Sequence, residues 1–499
     1  MKYNFHSKEF VETGSIPDKL AIAGSDGDID WNTLKIKVEK LSFELMQLAI
    51  PTGHPVLIYG HKEHLFPVAI LACIHSSMTY IPIDKIYPLD RIKKIMEITG
   101  TQILINCSNN TLELEFAATI NPKLETIVAF PPDYNNRIYG SSIEPLQYIM
   151  FTSGSTGEPK GVQISYKSML SFVDWAVRDF GFSVNDVFMN QAPFTFDVSL
   201  CDILNSMALG GTLVLTSNDI VKDQNAFLNR IAFYRCSVWT STPSFAFLFL
   251  RHANFNVHKL SSLHTFLFMG EDLPNRTCSL LKIKFPKARV LNAYGPTEAT
   301  IVTTFIDITE EIIRQHPSIP IGYSKPDSEL LIDKINPDDR EGELIIVGDH
   351  VSNGYLKDDE LNAKKFFIHN GKRAFKTGDL AFYEGSILFF IGRNDEQIKM
   401  HGYRIELNEI SNAICRINII TDAVTVPLKR NNEVKKIVSF VKVNLEISQD
   451  ELNNRIIPFL EKSLPYYMIP GEIIIVDEFP YNTSHKIDKN KLIADYIQR

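Results

Sequence analysis

The chain has 499 residues, of which 44% are hydrophobic and 22% are charged, and its formal net charge is -8 at pH 7. This composition excludes a disordered or fibrous protein, and the acidic balance gives no general attraction to nucleic acid or to an anionic membrane. The length exceeds that of one ordinary core. We therefore expect two or more domains, and a large enzyme is the favoured class.

The six cysteines are scattered, without a C-x-x-C pair or a histidine at zinc spacing. This pattern favours a reducing, cytoplasmic setting. The N-terminal sequence MKYNFHSKEF lacks the apolar segment of a secretory signal, and the longest apolar run, residues 65–74, is too short to span a bilayer. We therefore expect no membrane insertion and no nucleic-acid partner.

In chain order, short apolar runs first alternate with amphipathic stretches. Strands are predicted at residues 55–60, 79–83 and 101–106, with a helix over 64–77, and the same rhythm continues to about Tyr294. The alternation predicts a mainly parallel α/β sheet. From Glu343 the strands follow one another closely with turns between them, which predicts a β-rich subdomain.

The C-terminal part has a different pattern. After a polar, basic passage come a predicted helix over 406–417, strands over 422–430 and 435–443, and a helix over 448–465. These elements predict a small α+β domain of about 100 residues. We place the boundary near Asp395, which gives a large N-terminal domain over 1–394 and a small, mobile C-terminal domain over 395–499. The predicted fold class is therefore multidomain α/β.

One stretch, TSGSTGEPKG from Thr152 to Gly161, crowds glycines and hydroxyls around a single lysine. Glycine permits close backbone approach, and the N–H groups and hydroxyls offer donors to an anion such as phosphate. The order of residues differs from a Walker A loop, which disfavours a P-loop ATPase, and by itself the stretch is equally compatible with a surface turn. Because it follows a strand-like run and precedes residues 162–177, we predict that it lies where a strand meets a helix, which favours phosphate.

Two further strings carry candidate chemistry. In NAYGPTEAT, Tyr294 is suited to stack on a planar base, and Thr297 and Glu298 are suited to face phosphate and metal. In TGDL, we predict that Asp379 ends a strand, where its carboxylate can accept hydrogen bonds from a ribose diol. Each string alone is also compatible with an ordinary turn.

Taken in order, these strings resemble one family. YIMFTSGSTGEPKGV, NAYGPTEAT, GELIIVGDHVSNGYL, FKTGDL, GRNDEQIKMHGYRIELNEI and NTSHKIDKNKL have the order and spacing of the adenylate-forming (acyl-AMP ligase) superfamily. The resemblance covers essentially the whole chain and is closest to the amino-acid-activating branch. NQAPFTFDVSL, VWTSTPSF and TFLFMGEDLPN resemble stand-alone D-alanine:D-alanyl carrier protein ligases in particular.

The resemblance implies a two-step reaction that uses ATP and Mg²⁺. A carboxylate attacks the α-phosphorus of ATP, and the thiol of a carrier protein's phosphopantetheine then takes the acyl group. The resemblance implies Glu298 as the metal ligand. The implied ATP-binding residues are Thr152, Ser153, Gly154, Ser155, Thr156, Gly157, Lys160, Asn292, Ala293, Tyr294, Gly295, Pro296, Thr297, Asp379, Arg393 and Lys486.

Three residues in or near the C-terminal part have implied roles. Lys486 matches the family lysine that offsets negative charge at the substrate carboxylate and α-phosphate, although His485 stands where the family usually has glycine. Positive φ is uncommon but allowed for histidine. Asp395 matches the hinge of the family, which implies two domain arrangements. The nearby Gly402 and Arg404 would line the path of the pantetheine arm, whose carrier protein is expected to be a separate chain.

Asp197 is implied to bind the α-ammonium of an amino acid, although as an isolated residue it could be a turn or capping aspartate. The implied pocket residues are Asp197, Val198, Cys201, Thr240, Leu267, Met269, Ala293, Ile301 and Val302. They offer no second charge for a charged side chain, which favours an apolar amino acid. D-alanine is the leading candidate, but Met269 replaces the usual cysteine, so L-alanine, glycine, serine and larger aliphatic residues stay open.

Three functional readings follow. The first is an amino acid:carrier protein ligase, for D-alanine or for another small or aliphatic amino acid of a natural-product pathway. The second is an acyl- or aryl-CoA ligase, which Asp197 disfavours because such substrates lack an ammonium group. The third is a nucleotide-binding scaffold, which the complete set of site residues opposes. Pyrophosphate exchange distinguishes the three readings. Amino acids should stimulate it in the first, acids that lack an amino group in the second, and no acid in the third.

Overall fold

The computed structural model describes residues 1–12, 18–129, 145–154, 158–334, 336, 338–430, 433–480 and 487–498. The chain forms two compact units. The larger unit comprises Met1–Lys85, Met96–Met150 and Gly161–Asn394, and the smaller unit comprises Ile86–Ile95, Phe151–Lys160 and Asp395–Arg499. Among the described residues, no helix is both long enough and apolar enough to cross a bilayer.

The first third of the chain contains most of the first sheet. Its strands and helices are β1 (Lys2–Asn4), β2 (Glu9–Val11), β3 (Leu20–Ala23), β4 (Asp28–Asp30), α1 (Trp31–Gln47), β5 (Pro55–Gly60), α2 (Leu65–His75), β6 (Thr79–Asp84), α3 (Leu89–Thr99), β7 (Ile103–Asn106), β8 (Ala118–Ile120), β9 (Thr126–Val128), β10 (Leu146–Thr152) and β11 (Lys160–Ser165). The first sheet has the order β11-β10-β6-β5-β7-β8-β9. β5 and β6 are buried along their whole length, as continuous apolar runs in a covered parallel sheet should be.

The middle of the chain forms the second sheet. Its elements are α4 (Tyr166–Asp179), β12 (Val187–Asn190), α5 (Val198–Leu209), β13 (Thr212–Leu215), α6 (Asn218–Lys222), α7 (Gln224–Phe233), β14 (Val238–Ser241), α8 (Pro243–Phe249), β15 (Thr265–Phe268), α9 (Asn275–Lys284), β16 (Arg289–Tyr294), β17 (Thr304–Asp307), α10 (Glu310–Gln315) and β18 (Tyr323–Ser324). The second sheet has the order β18-β17-β16-β15-β14-β12-β13-β3-β4 and is parallel from β16 to β3. The predicted mainly parallel α/β architecture is confirmed.

The main apolar core contains buried residues from both sheets and from α1, α2, α4 and α5. α5 is buried along most of its length, and Gly210 ends it with a left-handed φ of 76°. Glycine at this position accepts the left-handed conformation because it has no side chain to clash.

A third sheet follows, as the closely spaced strands predict. Its elements are β19 (Glu329–Asp333), β20 (Gly342–Val347), α11 (Asp359–Lys365), β21 (Phe366–His369), β22 (Lys372–Glu384) and β23 (Ile387–Arg393). Its neighbouring strands are antiparallel.

The remaining elements belong to the smaller unit. They are β24 (Gln397–Met400), β25 (Tyr403–Glu406), α12 (Leu407–Cys415), β26 (Ile420–Arg430), β27 (Glu433–Val443), α13 (Gln449–Ser463), β28 (Glu472–Ile475) and α14 (Lys489–Gln498). The predicted helices and strands of this part are present. The polar passage before them, for which no strand is predicted, forms the hairpin of β24 and β25. The predicted domain limits at 1–394 and 395–499 stay a prediction.

Candidate active site

The glycine-rich loop connects β10 to β11, which are neighbouring strands of the first sheet. The prediction that it lies where a strand meets a helix is therefore wrong, because the chain pairs as β11 before α4 begins. Gly154 is required by its surroundings, since a Cβ at this position would lie 1.8 Å from the carbonyl oxygen of Glu158. The predicted loop residues Ser155, Thr156 and Gly157 lie outside the described residues.

Donors of this loop bind acidic side chains of the same unit. The N–H of Gly154 donates to Oε2 of Glu409 at 2.9 Å, and Nζ of Lys160 lies 3.4 Å from Oε1 of Glu406. The hydroxyl of Ser153 accepts from the N–H of Glu406 at 3.2 Å and donates to the carbonyl oxygen of Arg404 at 3.0 Å. The loop therefore presents a backbone N–H and an ammonium group to anionic oxygen atoms, which is the donor chemistry that phosphate needs.

Three predicted nucleotide-binding residues meet in the larger unit. The hydroxyl of Tyr294 donates to one carboxylate oxygen of Asp379, and the guanidinium of Arg393 donates to the other. Asp379 and Arg393 are paired across β22 and β23, so the register of the third sheet brings the two charges together. Burial first, and then the charge of Asp379, raises the pKa of Tyr294 well above its usual range, so the phenol remains a hydrogen-bond donor.

Asp379 lies inside β22, and the prediction that it ends a strand is wrong. Gly378 has a φ of 77°, and the register of β22 against β23 shifts between Leu380 and Ala381. An irregularity of this kind bends the strand and re-aims its side chains. Gly378, which indicates a turn in the sequence, therefore lies at an irregularity within β22.

The end of β16 connects the nucleotide residues to the amino-acid residues. Asn292 is buried, and its Nδ2 donates to the carbonyl oxygen of Pro320 at 2.8 Å. Gly295 follows Tyr294, and a Cβ there would lie 2.4 Å from Cα of Val302. Glycine therefore allows the chain after β16 to pass against the backbone of a predicted pocket residue.

Glu298 is fully buried in the short 3-10 turn that begins at Thr297. Its Oε1 accepts a hydrogen bond of 2.7 Å from the hydroxyl of Tyr355. No group of three or more metal-ligating side chains forms a cage within the described residues. A single carboxylate fits Mg²⁺, which usually takes one or two carboxylates and completes its shell with phosphate oxygens and water.

The predicted pocket residues lie in α5 or at its N-cap, in β14, β15 and β16, and directly after β15 and in the segment after β16. Thr240 and Leu267 are paired neighbours in β14 and β15, and Val198 packs against the main apolar core. The pocket residues inside that core are Cys201, Leu267, Met269, Ala293, Ile301 and Val302. Thr300 and Ile301 have φ values of 54° and 70°. These values are strained for β-branched residues and cost about 1–3 kcal/mol each, a kind of strain that is concentrated at binding sites.

Asp197 occupies the N-cap position of α5, but its carboxylate makes no capping hydrogen bond to that helix. The alternative of a helix-capping aspartate therefore does not explain this side chain. The carboxylate belongs to a half-buried residue beside the pocket residues Val198 and Cys201.

The predicted C-terminal residues are only partly described. Lys486, together with His485, lies outside the described residues. Oδ1 of Asp395 accepts from the N–H of Gln397 at 3.2 Å. Gly402 has a φ of 84° in the turn between β24 and β25, directly before the strand that contains Arg404.

A family model described as AMP-binding enzyme matches residues 12–356, which is more than half of the chain. This chain belongs to the AMP-binding enzyme family. The predicted family resemblance is confirmed, and family membership implies the use of ATP. The roles of the individual site residues stay predictions.

Curated relatives of this AMP-binding enzyme match along almost its full length. A protein of Bacillus anthracis named D-alanine--D-alanyl carrier protein ligase is 37% identical over 489 residues, which cover 96% of this chain and 97% of the relative. A protein of the same name from Bacillus mycoides is 38% identical over 496 residues and covers 97% of both chains.

Two solved structures share the fold of this AMP-binding enzyme. The Vibrio cholerae adenylation domain AlmE, in complex with glycyl-adenosine-5'-phosphate, has a TM-score of 0.84 at 22% identity over 99% of this chain and 97% of that chain. The NRPS protein holo-PA1221, which contains adenylation and PCP domains, has a TM-score of 0.79 at 24% identity over 96% of this chain and 82% of that chain.

Some partners of the site residues are not predicted from the sequence of this AMP-binding enzyme. Tyr355 bonds Glu298 across 57 positions. Glu409 accepts a hydrogen bond from the N–H of Gly154. It also accepts a hydrogen bond of 2.7 Å from Nη1 of Arg91, and this ion pair is almost fully buried. Tyr355 and Glu409 lie inside sequence motifs that indicate the family, so those motifs could have marked both residues as candidates. The residues that they contact could not be predicted, because these contacts depend on the fold.

Proposed function

We propose that this AMP-binding enzyme activates a small apolar amino acid, with D-alanine as the first candidate, and transfers it to the phosphopantetheine thiol of a separate carrier protein. The observation that carries the proposal is the carboxylate of Asp197 at the start of α5, beside otherwise apolar pocket residues. Such a carboxylate can bind the α-ammonium group of an amino acid through a charge-assisted hydrogen bond. The 37–38% identity to proteins named D-alanine--D-alanyl carrier protein ligase supports D-alanine.

In the first step, a carboxylate oxygen of the amino acid bonds to the α-phosphorus of ATP. The bond between the α-phosphorus and its bridging oxygen breaks, and pyrophosphate leaves with the electron pair. Two anions must approach each other, so catalysis consists mainly of positioning and of neutralising charge. Lys160 and the N–H of Gly154 hold the phosphates, exchanging their carboxylate partners for phosphate oxygens.

The nucleoside is assigned to the cluster of Tyr294, Asp379 and Arg393. The adenine stacks on the ring of Tyr294. The ribose hydroxyls donate to the carboxylate of Asp379, which is also paired with the guanidinium group of Arg393. The two strands that carry Asp379 and Arg393 hold these groups in place before the nucleotide arrives.

Glu298 is assigned to Mg²⁺, which when bound neutralises charge on the phosphates. Tyr355 holds the Glu298 carboxylate through its hydroxyl, so the side chain is oriented before a cation binds. Lys486 is assigned to the reacting groups, where its positive charge offsets the negative charge that develops at the substrate carboxylate and the α-phosphate.

In the second step, the carrier thiol attacks the acyl carbon of the adenylate, the bond from carbon to the phosphate oxygen breaks, and AMP leaves as a thioester forms. We assign Asp395 as the pivot for this step and Gly402 and Arg404 to the pantetheine path. The reaction is placed in the cytoplasm, which agrees with six cysteines that are all free thiols.

The test is ATP–pyrophosphate exchange across a panel of D- and L-amino acids, with propionate as an acid that lacks the ammonium group. We expect D-alanine to give the highest exchange and propionate almost none. In Asp197→Asn, exchange with D-alanine should fall about a hundredfold, because a charge-assisted bond is lost, while exchange with propionate should not fall.

Two outcomes would contradict the proposal. Strong exchange with propionate, followed by thioester formation on free CoA, would identify an acyl-CoA ligase. Binding of ATP without exchange for any acid would identify a nucleotide-binding scaffold. Glu329→Gln, which changes a carboxylate of a residue on β19 that faces solvent, serves as the control and should exchange at the wild-type rate.

A further inference from the structure

Lys62 is a fully buried lysine, at 0% exposure, in the connection between β5 and α2. Burial of an ammonium group costs free energy of desolvation unless polar groups surround it, so the groups that contact Lys62 must offset this cost. It follows the end of a strand of the first sheet, and its ammonium group reaches the end of β12 in the second sheet. The residue therefore connects the two sheets at the end where the site lies.

The ammonium group binds one loop at three places. Nζ donates to Oδ1 of Asn190 at 2.5 Å and to the carbonyl oxygen of Ala192 at 2.6 Å, and it lies 4.1 Å from the centre of the Phe194 ring. Asn190 ends β12, and Ala192 and Phe194 belong to the connection from β12 to α5, which ends at Asp197. A cation over an aromatic ring adds attraction to the two hydrogen bonds.

Asn190 connects Lys62 to α5 through hydrogen bonds. Lysine can only donate hydrogen bonds, so it binds the amide oxygen of Asn190 and leaves the amide NH₂ group facing the helix. That NH₂ group donates to the carbonyl oxygen of Ser199 at 3.0 Å and to Oδ2 of Asp202 at 3.1 Å. Ser199 lies in the first turn of α5. Lys62 thus holds both the loop before Asp197 and the helical turn after it.

Two carboxylates supply the opposite charge. Asp202 on α5 and Asp84 at the end of β6 are buried and face Lys62, and His61 bonds Asp84 at 2.8 Å. Burial lowers the pKa of Lys62 from 10.5 to about 7, although Asp84 and Asp202 act against it. Burial also raises the pKa of Asp202 to about 7, against the effects of the Thr240 side chain, Asn190 and Lys62.

We propose that Lys62 is a positioning residue of the amino-acid site. By holding Asn190, Ala192 and Phe194, it keeps the loop that ends at Asp197, and the first turn of α5, in the conformation that receives the substrate ammonium. The inference rests on the proposed function, because the role of Asp197 is assigned there. Lys62 itself touches neither substrate and acts through the loop.

The first test is Lys62→Met, which keeps the length of the side chain and removes the charge and the donors. In pyrophosphate exchange, KM for D-alanine should rise about tenfold, as expected for the loss of one well-placed polar contact, while KM for ATP should stay within about twofold. Equal changes in both KM values, or no change in either, would overturn the proposal.

The matched control is Lys325→Met. Lys325 is also almost fully buried, at 1% exposure, and its Nζ donates to Ser171 and Asp327 in a different part of the larger unit. We expect this variant to lose thermal stability to a similar degree and to keep the wild-type KM for D-alanine. A raised KM in both variants would mean that loss of any buried lysine weakens the site.

A double variant separates positioning from charge balance. In Lys62→Met/Asp202→Asn, the ammonium group and the carboxylate of Asp202 are both gone, while Asp84 keeps its bond to His61, so the midpoint of thermal unfolding should recover in part relative to Lys62→Met. KM for D-alanine should nevertheless stay raised, because the contacts with the loop are still missing. Recovery of KM together with stability would show that Lys62 only balances charge and would overturn the proposal. This variant also covers the case in which Lys62→Met does not fold.

The pH dependence gives a further readout. Lys62 loses its proton as the pH rises through about 7, which weakens its charge-assisted bonds to the loop. KM of the wild type and of Lys325→Met for D-alanine should therefore rise above that pH. In Lys62→Met this rise should be absent, with KM already high at lower pH. The same rise in Lys62→Met would overturn the assignment.

Hydrogen exchange without substrate distinguishes failure of this inference from failure of the proposed function. Backbone amides of residues 190–199 should exchange at least about tenfold faster in Lys62→Met than in wild type and Lys325→Met, because the loop opens more easily. If the wild type activates no amino acid of the panel, the proposed function is wrong, yet this measurement still reports on the loop. Unchanged exchange in an active enzyme would overturn the inference alone.

Discussion

The cluster of Tyr294, Asp379 and Arg393, which we propose binds the nucleoside (the nucleoside cluster), and the proposed amino-acid pocket lie in the same unit but are held by different forces. The nucleoside cluster is a buried, charged network in which Asp379 and Arg393 lie on two paired strands and Tyr294 ends β16. The pocket is an apolar cluster bordered by two strained residues, Thr300 and Ile301. The first depends on complete pairing of each charge, whereas the second depends on shape.

This difference has consequences for how each region responds to change. A buried ion pair that loses one partner leaves an uncompensated charge, so its response is large and abrupt. An apolar pocket changes its preference in steps of about 1–3 kcal/mol per methylene group. Substitutions in the nucleoside cluster should therefore affect all amino acids alike, and substitutions in the pocket should change the preference among them.

The largest effect is expected for Asp379→Asn. The amide cannot balance the charge of Arg393 or accept hydrogen bonds as a carboxylate does, so exchange should fall about a hundredfold to a thousandfold. The fall should be equal for every amino acid that the wild type activates. Initial rates of pyrophosphate exchange at saturating ATP, measured with each amino acid, provide the check.

The control for this variant is Asp333→Asn in the same sheet. Asp333 lies 3.6 Å from Lys376 and its side chain is about half exposed. An exposed ion pair contributes little, so exchange should stay within about twofold of the wild type. If the loss in Asp379→Asn depended on the amino acid, the separation between the two regions would be wrong.

A smaller effect is expected for Tyr294→Phe. The ring remains available for stacking, but the hydrogen bond to Asp379 is lost, so KM for ATP should rise about tenfold. KM for the amino acid should not change. A titration of exchange against ATP and against D-alanine separates the two constants, and a change in the preference for D- over L-alanine would contradict the comparison.

The smallest effect is expected for Met269→Cys in the pocket. The shorter side chain makes room beside the buried apolar residues, and the ratio of exchange with D-alanine to exchange with L-alanine should rise about threefold to tenfold. KM for ATP should stay unchanged. Leu331→Cys, at a partly buried position of the third sheet, is the matched control and should keep the wild-type ratio. An unchanged ratio in Met269→Cys would show that Met269 does not line the amino-acid pocket.

Local sequence was sufficient for most of the helices and strands and for the family. It was insufficient where backbone pairing decided the outcome. The stretch after the glycine-rich loop contains helix-like residues, yet its first part pairs as β11. TGDL has the composition of a turn, yet Asp379 lies within β22 because this part of β22 pairs with β20 and β23. Turn residues indicate where a chain can bend, but a partner strand determines whether it does.

By itself, the sequence determined the family, because the motifs that identify it consist of neighbouring residues. Only the tertiary structure decided that Asp379 stands opposite Arg393, that Tyr355 bonds Glu298, and that Lys62 reaches Asn190 across 128 positions. These contacts arise from strand register and from burial of charge, which bring together residues that no local pattern connects.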